Sequence, residues 1–114
     1  MDLQAKISQI RLIENIILTN LVICLTSRDY LIKVLDEETT VQNFTKDWKS
    51  IFNAIGHTDF TCFHVRKEGI EKPYFIAMYH GNNEDIISDY SHAENSEFDK
   101  FMTEFLEWID TLNV

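Results

Sequence analysis

The chain has 114 residues, of which 45% are hydrophobic and 12% aromatic, and it carries a formal net charge of −9. This length and composition suit one domain with a single core, and the few glycines and one proline leave no room for a flexible linker. The acidic balance disfavours direct binding to nucleic acid, because a negative field repels phosphates. We therefore predict one globular domain over residues 1–114.

Apolar residues recur at helical spacing through the first part of the chain, from Leu3 to Leu25. This periodicity predicts a long N-terminal helix from about Asp2 to Leu25. For residues 15–25 a buried strand is the alternative, because β-branched residues are dense in that segment and favour sheets.

The apolar run from Ile16 to Leu25 raises the question of a membrane segment. Thr19 and Asn20 interrupt the run, and it falls short of the roughly 20 residues that span a bilayer. The residues before it are balanced in charge and no small-residue cleavage site follows it, so it does not read as a signal peptide. We therefore expect a cytoplasmic protein that does not contact a membrane.

Two shorter helices are predicted between residues 27 and 56. Ser27 is suited to cap the first, whose apolar residues fall at helical spacing: Tyr30, Leu31, Val34 and Leu35. Thr40 is suited to cap the second, and Gly56 lies where a helix commonly ends in glycine. The apolar stripe of this second helix is Val41, Phe44, Trp48, Ile51, Phe52 and Ile55.

The segment from Thr58 to Ser91 carries an unbroken succession of β signals. Residues alternate between two faces from Phe60 to Val65, and a second apolar run extends from Tyr74 to Tyr79. Gly69 between these runs predicts a hairpin. A third strand is predicted from Asp85 to Tyr90. Together these elements predict an antiparallel β-meander of two or three strands.

The end of this segment, Tyr79 to Ser91, reads YHGNNEDIISDYS. It resembles small uncharacterised bacterial and phage proteins in which a strand ends in Gly-Asn and an acidic residue leads into an Ile-x-Asp-Tyr strand before a helix. His80 stands where those proteins more often have an aliphatic residue. The resemblance implies the order strand, turn, strand and helix, and it carries no function.

The last predicted element is an amphipathic helix after Ser96, whose hydroxyl is suited to cap it with Asp99 three residues later. Its apolar stripe is Phe98, Phe101, Met102, Phe105, Ile109 and Leu112. Trp108 lies near the border with the opposite, acidic side, where a tryptophan either packs or anchors a partner, and packing is favoured here. The predicted class is therefore α+β, with N-terminal helices, the meander and this C-terminal helix.

Negative charge is concentrated at the end of the chain. Residues Asn83 to Val114 contain nine acids and one base, Lys100, so this segment carries −8 of the net −9. Such a field attracts basic surfaces, although acids of this kind also serve only to keep a protein soluble. The residues predicted to bind a partner are Glu84, Asp85, Asp89, Glu94, Glu97, Glu104, Glu107 and Asp110.

Metal and catalytic chemistry have weaker support. The imidazole and carboxylate side chains suited to zinc or iron are His80, Asp85, Asp89 and His92. Their spacing matches no known motif, and neither a nucleophile elbow nor a glycine-rich phosphate loop is present in the sequence. Cys24 and Cys62 lie in apolar runs, where buried free thiols are the expectation. We therefore predict no enzymatic activity and no cofactor.

The working hypothesis is a protein-binding module, namely a stoichiometric inhibitor that docks its acidic C-terminal face on a basic, nucleic-acid-processing protein. Immunity proteins of nuclease toxins and phage-encoded inhibitors of host defence have this size and charge, which is an analogy of class. One alternative is a metal-binding protein or small enzyme that uses the four side chains above. Another is a homo-oligomeric structural domain in which apolar surface between Ile13 and Leu25 pairs with a second copy.

Overall fold

The computed structural model describes residues 3–55, 59–70, 72–82 and 85–112, and the side chains of these ranges from residue 11 onward. The helices and strands are α1 (Leu3–Ser27), β1 (Tyr30–Asp36), β2 (Thr39–Thr45), α2 (Trp48–Ala54), β3 (Phe60–Lys67), β4 (Tyr74–Tyr79), β5 (Ile87–Tyr90) and α3 (Glu97–Asp110). The strands form one antiparallel sheet in the order β2-β1-β3-β4-β5. The predicted α+β class is confirmed, whereas the prediction of two or three strands is wrong because the sheet has five.

Helix α1 confirms the predicted N-terminal helix and excludes the strand alternative for residues 15–25. Its second half packs on the sheet through Ile17, Leu18, Leu21, Val22 and Leu25. The helix ends at Ser27, whose hydroxyl donates to the Ile23 carbonyl at 2.6 Å. Asp29 then has a φ of 68°, and this left-handed residue turns the chain into β1. No described helix combines the length and apolar character needed to cross a membrane.

Residues 30–45 form a β-hairpin, so the prediction of a short helix after Ser27 is wrong. Strand β1 buries every second residue from Tyr30 to Val34. Its two-residue turn joins Asp36 to Thr39, and Glu37 in that turn has a φ of 57°. The spacing was ambiguous because both faces of β1 carry apolar side chains, a pattern that fits a helix or a strand. Pairing with β3 along the whole of β1 decides for the strand.

The second predicted helix is present only as α2, Trp48–Ala54. The residues predicted for its first turns lie in β2, so Thr40 does not cap it. The cap is Asp47, whose Oδ2 accepts a hydrogen bond from the Ser50 backbone N–H at 3.2 Å. Hydrogen bonds from Ser50 also lower the pKa of the Asp47 carboxyl. The predicted terminal glycine, Gly56, lies outside the described residues.

The predicted meander is present as β3, β4 and β5, with β3 at the centre of the sheet. In the turn between β3 and β4, Gly69 has a φ of 87°, which glycine adopts without strain. In the next turn the Gly81 N–H donates to the Glu14 carboxylate at 2.7 Å. Glu14 is only 5% exposed, so this hydrogen bond ties the middle of α1 to the turn after β4.

Helix α3 follows its predicted pattern closely. The Ser96 hydroxyl accepts a hydrogen bond from the Asp99 N–H at 3.0 Å, which confirms the predicted cap. Phe98 stacks on Tyr74 of β4 with ring centroids 4.4 Å apart. Trp108 is half-buried and packs against the core, as expected for a residue at the border of the apolar side. The buried side of the helix consists of Phe98, Phe101, Met102, Phe105 and Ile109.

The three described helices lie on one face of the sheet, which we call the core face. The indole N–H of Trp48 in α2 donates to the Thr26 hydroxyl in α1 at 2.8 Å, which joins two of the helices on this side. Buried residues of all three helices form one cluster with strand residues of the core face: Ile32, Val34, Phe63, Val65, Ile76 and Met78. The opposite side of the sheet, which we call the outer face, carries none of the described helices.

Phe63 at the centre of the core face has no exposed surface. We expect Phe63→Ala to lower the free energy of unfolding by about 3–5 kcal/mol, because it removes buried apolar area and leaves a cavity. Leu12 on α1 is 60% exposed, so Leu12→Ala is a control expected to change this free energy by less than about 0.5 kcal/mol. Urea denaturation followed by circular dichroism measures both variants. Equal losses would contradict this assignment of the core.

Candidate functional site

The exposed side of α3 carries three carboxylates, Glu104, Glu107 and Asp110, which we call the acidic stripe. They recur every three residues and therefore lie along one side of the helix, away from its buried aromatic side. Within the described part of the chain, no basic side chain forms an ion pair with any of the three. The acidic stripe thus faces solvent and forms no ion pair with the basic side chains that the structure describes.

The other predicted acidic residues do not join this stripe. Glu97 at the start of α3 is bound to Lys67, whose Nζ lies 2.9 Å from the Glu97 carboxylate, and this hydrogen bond raises the pKa of Lys67. Asp89 lies on β5 opposite Ala77, so its position belongs to the outer face. Asp85 and Glu94 are exposed in the loops before and after β5. Glu84 lies outside the described residues. Of the predicted acidic residues that the structure describes, it therefore brings together Glu104, Glu107 and Asp110.

A groove of about 250 Å³ runs between α1 and α3 beside the acidic stripe. The Arg28 guanidinium lies over the Phe101 ring, 4.8 Å from its centroid, and forms one wall. Phe105 and Trp108, with ring centroids 5.3 Å apart, supply aromatic surface. The residues that line the groove are Asn20, Cys24, Arg28, Phe101, Glu104, Phe105 and Trp108.

Glu104 belongs both to this groove and to the acidic stripe, so the two features form one continuous surface. An apolar concavity beside carboxylates suits a protein partner that presents an apolar side chain next to a cation. Sequence reasoning missed the groove, because its walls come from opposite ends of the chain. The position of Trp108 at the edge of the apolar stripe was the one local signal for it.

The four side chains considered for a metal site are not assembled. The His80 Nε2 lies 2.8 Å from the Thr61 hydroxyl, which orients that ring toward β3. The His92 ring lies 3.5 Å from the Asp89 carboxylate and packs on Tyr90. Among the residues that the structure describes, no three His, Cys, Asp or Glu side chains are placed to share a metal ion. The geometry therefore gives the metal hypothesis no support from these residues.

The apolar surface of α1 considered for self-association is mostly used within the chain. Ile17, Leu21 and Leu25 have no exposed surface, because they pack in the core. Leu12 and Ile16 are the exposed large apolar side chains on the described part of this helix. Two such residues are a small basis for helix pairing.

Both cysteines are free, as predicted, although each is only half-buried. Cys24 lines the groove, and Cys62 lies on the outer face of β3. Burial raises the pKa of the Cys62 thiol above its ordinary value.

The fold and site together define a two-layer α+β domain whose last helix carries an acidic stripe beside an aromatic groove. Comparison of the chain with protein-family models, with curated proteins and with solved structures finds no match. The chemistry of the site is therefore the basis for a proposed function.

Thiol labelling tests the environment of Cys62. In a Cys24→Ser variant, we expect the labelling rate of Cys62 by a chromogenic disulfide to rise with pH around a midpoint above that of an ordinary thiol. Burial disfavours the thiolate, which is the reactive form, so less of it is present at a given pH. The same variant unfolded in urea is the control and should show the ordinary midpoint. Identical native and unfolded midpoints would contradict the predicted shift.

Proposed function

We propose that this protein is a protein-binding module that acts as a stoichiometric inhibitor by docking the acidic side of α3 on a basic protein. The observation that carries the proposal is the acidic stripe, exposed and without an ion-pair partner among the described residues, next to an aromatic groove. We propose a binding role rather than an enzymatic one.

The charge of the whole chain supports this role. At a net charge of −9, the protein generates a field that attracts a basic surface from a distance and accelerates association. The acids outside the acidic stripe, such as Asp85 and Glu94, contribute to that field even where they make no contact. Contact itself is assigned to the acidic stripe, because Glu97 at the start of α3 is already paired with Lys67 and Asp89 belongs to the outer face.

The groove would supply affinity that exposed charges alone do not provide. Exposed ion pairs contribute little affinity, whereas an aromatic anchor in a dehydrated pocket contributes much more. We propose that an apolar side chain of the partner enters between Arg28 and Trp108 while a neighbouring lysine or arginine meets Glu104. An apolar side chain next to a lysine or arginine is common on proteins that bind nucleic acid, since their surfaces combine basic and aromatic side chains. The proposed partner is therefore a nucleic-acid-processing protein, in the manner of a nuclease and its immunity protein.

Neutralisation of the acidic stripe tests the proposal. The variant Glu104→Gln, Glu107→Gln, Asp110→Asn should bind the partner at least about tenfold more weakly, mainly through slower association. The matched control is Glu37→Gln, Glu38→Gln, Glu68→Gln, which removes three exposed carboxylates elsewhere. Its net charge equals that of the acidic-stripe variant. The measurement is capture of proteins from the native host at low and high salt, followed by surface plasmon resonance with the recovered basic protein.

We expect the control variant to bind within about threefold of the unmodified protein, because it loses only long-range attraction. Binding of the unmodified protein should weaken as salt rises. Equal loss in the two variants would assign the effect to net charge and not to α3. A partner whose binding ignores both salt and the α3 substitutions would contradict the proposal.

A further inference from the structure

The outer face of the sheet is apolar and aromatic where solvent would favour polar side chains. An antiparallel sheet with one face in water normally alternates apolar and polar residues. Here β3 and β4 place aromatic or apolar side chains on both faces. The apolar and aromatic residues of the outer face are Leu31, Leu35, Phe44, Phe60, Cys62, Phe75, Ala77 and Tyr79.

These side chains remain outside the core. None of the eight belongs to the cluster that α1, α2 and α3 cover, or packs against it. Phe75 and Tyr79 are 37% and 49% exposed. Phe60 and Tyr79 lie side by side on neighbouring strands with ring centroids 4.7 Å apart, and Ala77 lies between Tyr79 and Phe75 on the same face of β4. An exposed group of apolar and aromatic side chains of this kind is typical of an interface.

The charges of the outer face argue against the basic partner proposed above as its occupant. The Arg66 guanidinium lies over the Phe44 ring, 4.3 Å from its centroid, and the Lys33 ammonium lies over the same ring at 5.8 Å. The one carboxylate at a register position on this face is Asp89, on the opposite edge of the sheet. Burial, together with the nearby Lys33 charge, lowers the pKa of His64 and so favours its neutral form. The outer face is thus more cationic than the rest of the protein.

This arrangement is self-complementary. Strand β3 is central, with β1 and β2 on one side and β4 and β5 on the other. Lys33 and the Arg66 guanidinium occupy the side of β1 and β2, whereas Asp89 occupies the side of β4 and β5. A two-fold axis parallel to β3 would place β1 and β2 of one copy opposite β4 and β5 of the second copy. Cations would then face the edge that carries the carboxylate, and Phe44 would face the β4–β5 edge.

We propose that the outer face is the interface of a two-fold symmetric homodimer in which two sheets pack face to face. Five strands at about 4.8 Å spacing and six residues at about 3.3 Å rise give a flat area of roughly 500 Å². Two such faces bury roughly 1,000 Å² together, which is at the lower limit for a specific interface. Sheets pack at about 10 Å, so Cys62 on the central strand lies opposite Cys62 of the second copy.

The dependence of binding on salt distinguishes this dimer from the binding of a basic partner. Each copy carries −9, so two copies repel at long range while their outer faces attract by apolar burial. Higher salt should therefore strengthen the dimer, whereas it should weaken binding through the acidic stripe. Neutralisation of the acidic stripe should leave the dimer intact, so that failure of one proposal does not imply failure of the other.

Sedimentation velocity of the full chain tests the dimer, from about 1 to about 200 μM at about 0.05 and about 0.5 M NaCl. We expect a concentration-dependent dimer whose dissociation constant falls at the higher salt. Phe75→Glu should raise that constant at least about tenfold, because it places a charge in an apolar interface. Leu12→Glu, on the exposed side of α1, is the matched control and should change it by less than about twofold.

Thiol labelling gives a second measurement, in a Cys24→Ser variant whose outer face is unchanged. In a Cys24→Ser variant, labelling of Cys62 should slow as protein concentration passes the dissociation constant, because the dimer covers it. In a Cys62→Ser variant, labelling of Cys24 in the groove should not depend on concentration. This measurement also decides the question where Phe75→Glu fails to fold.

A chain that stays monomeric over the whole concentration range would overturn the proposal. So would dissociation by Leu12→Glu with no effect of Phe75→Glu, which would assign the interface to α1. Labelling of Cys62 that ignores concentration in a dimeric protein would likewise exclude the outer face.

Discussion

Burial of the core face by α1 and α3 is the interaction on which the rest of the molecule depends. Phe63 on the central strand and Phe98 on α3 are both fully buried, and Phe98 also stacks on Tyr74. Because the aromatic side of α3 is held against the sheet, the carboxylates on its other side must face solvent. The same packing sets α3 beside α1 and so forms the groove. One apolar contact therefore determines both the stability of the domain and the exposure of its candidate site.

The sheet separates two surfaces with different electrostatic character. On the helical side, Glu104, Glu107 and Asp110 face solvent without an ion-pair partner among the described residues. On the outer side, Lys33 and Arg66 lie over the ring of Phe44 within an apolar patch. A sheet with all its described helices on one side keeps these surfaces on opposite sides of the molecule. The two surfaces proposed for binding therefore do not overlap.

The sequence predicted the elements in which the spacing of apolar residues fits only a helix or only a strand. It did not predict those in which contacts between distant residues decide the structure. The stripe and cap of α3 are local, so both were predictable from residues 96–112. Strand β1 was not predictable, because its apolar residues fit the spacing of a helix as well as that of a strand. Its pairing with β3 joins residues about 30 positions apart, which a local pattern does not show. For the site, the carboxylates of α3 were predictable as a group. The pairing of Glu97 with Lys67 and the outer position of Asp89 depend on the fold, as does the meeting of Arg28 with Phe101.

The groove joins two helices from opposite ends of the described chain, so its formation during folding requires a long loop to close. Contacts between such distant segments close a longer loop, and therefore cost more chain entropy, than hairpins such as β1–β2 and β3–β4. A folding intermediate with α3 undocked would lack the groove and expose the apolar core face to aggregation or to chaperones. The groove is therefore complete only when the long loop between α1 and α3 has closed, so the surface proposed above to bind a partner exists only in the fully docked chain.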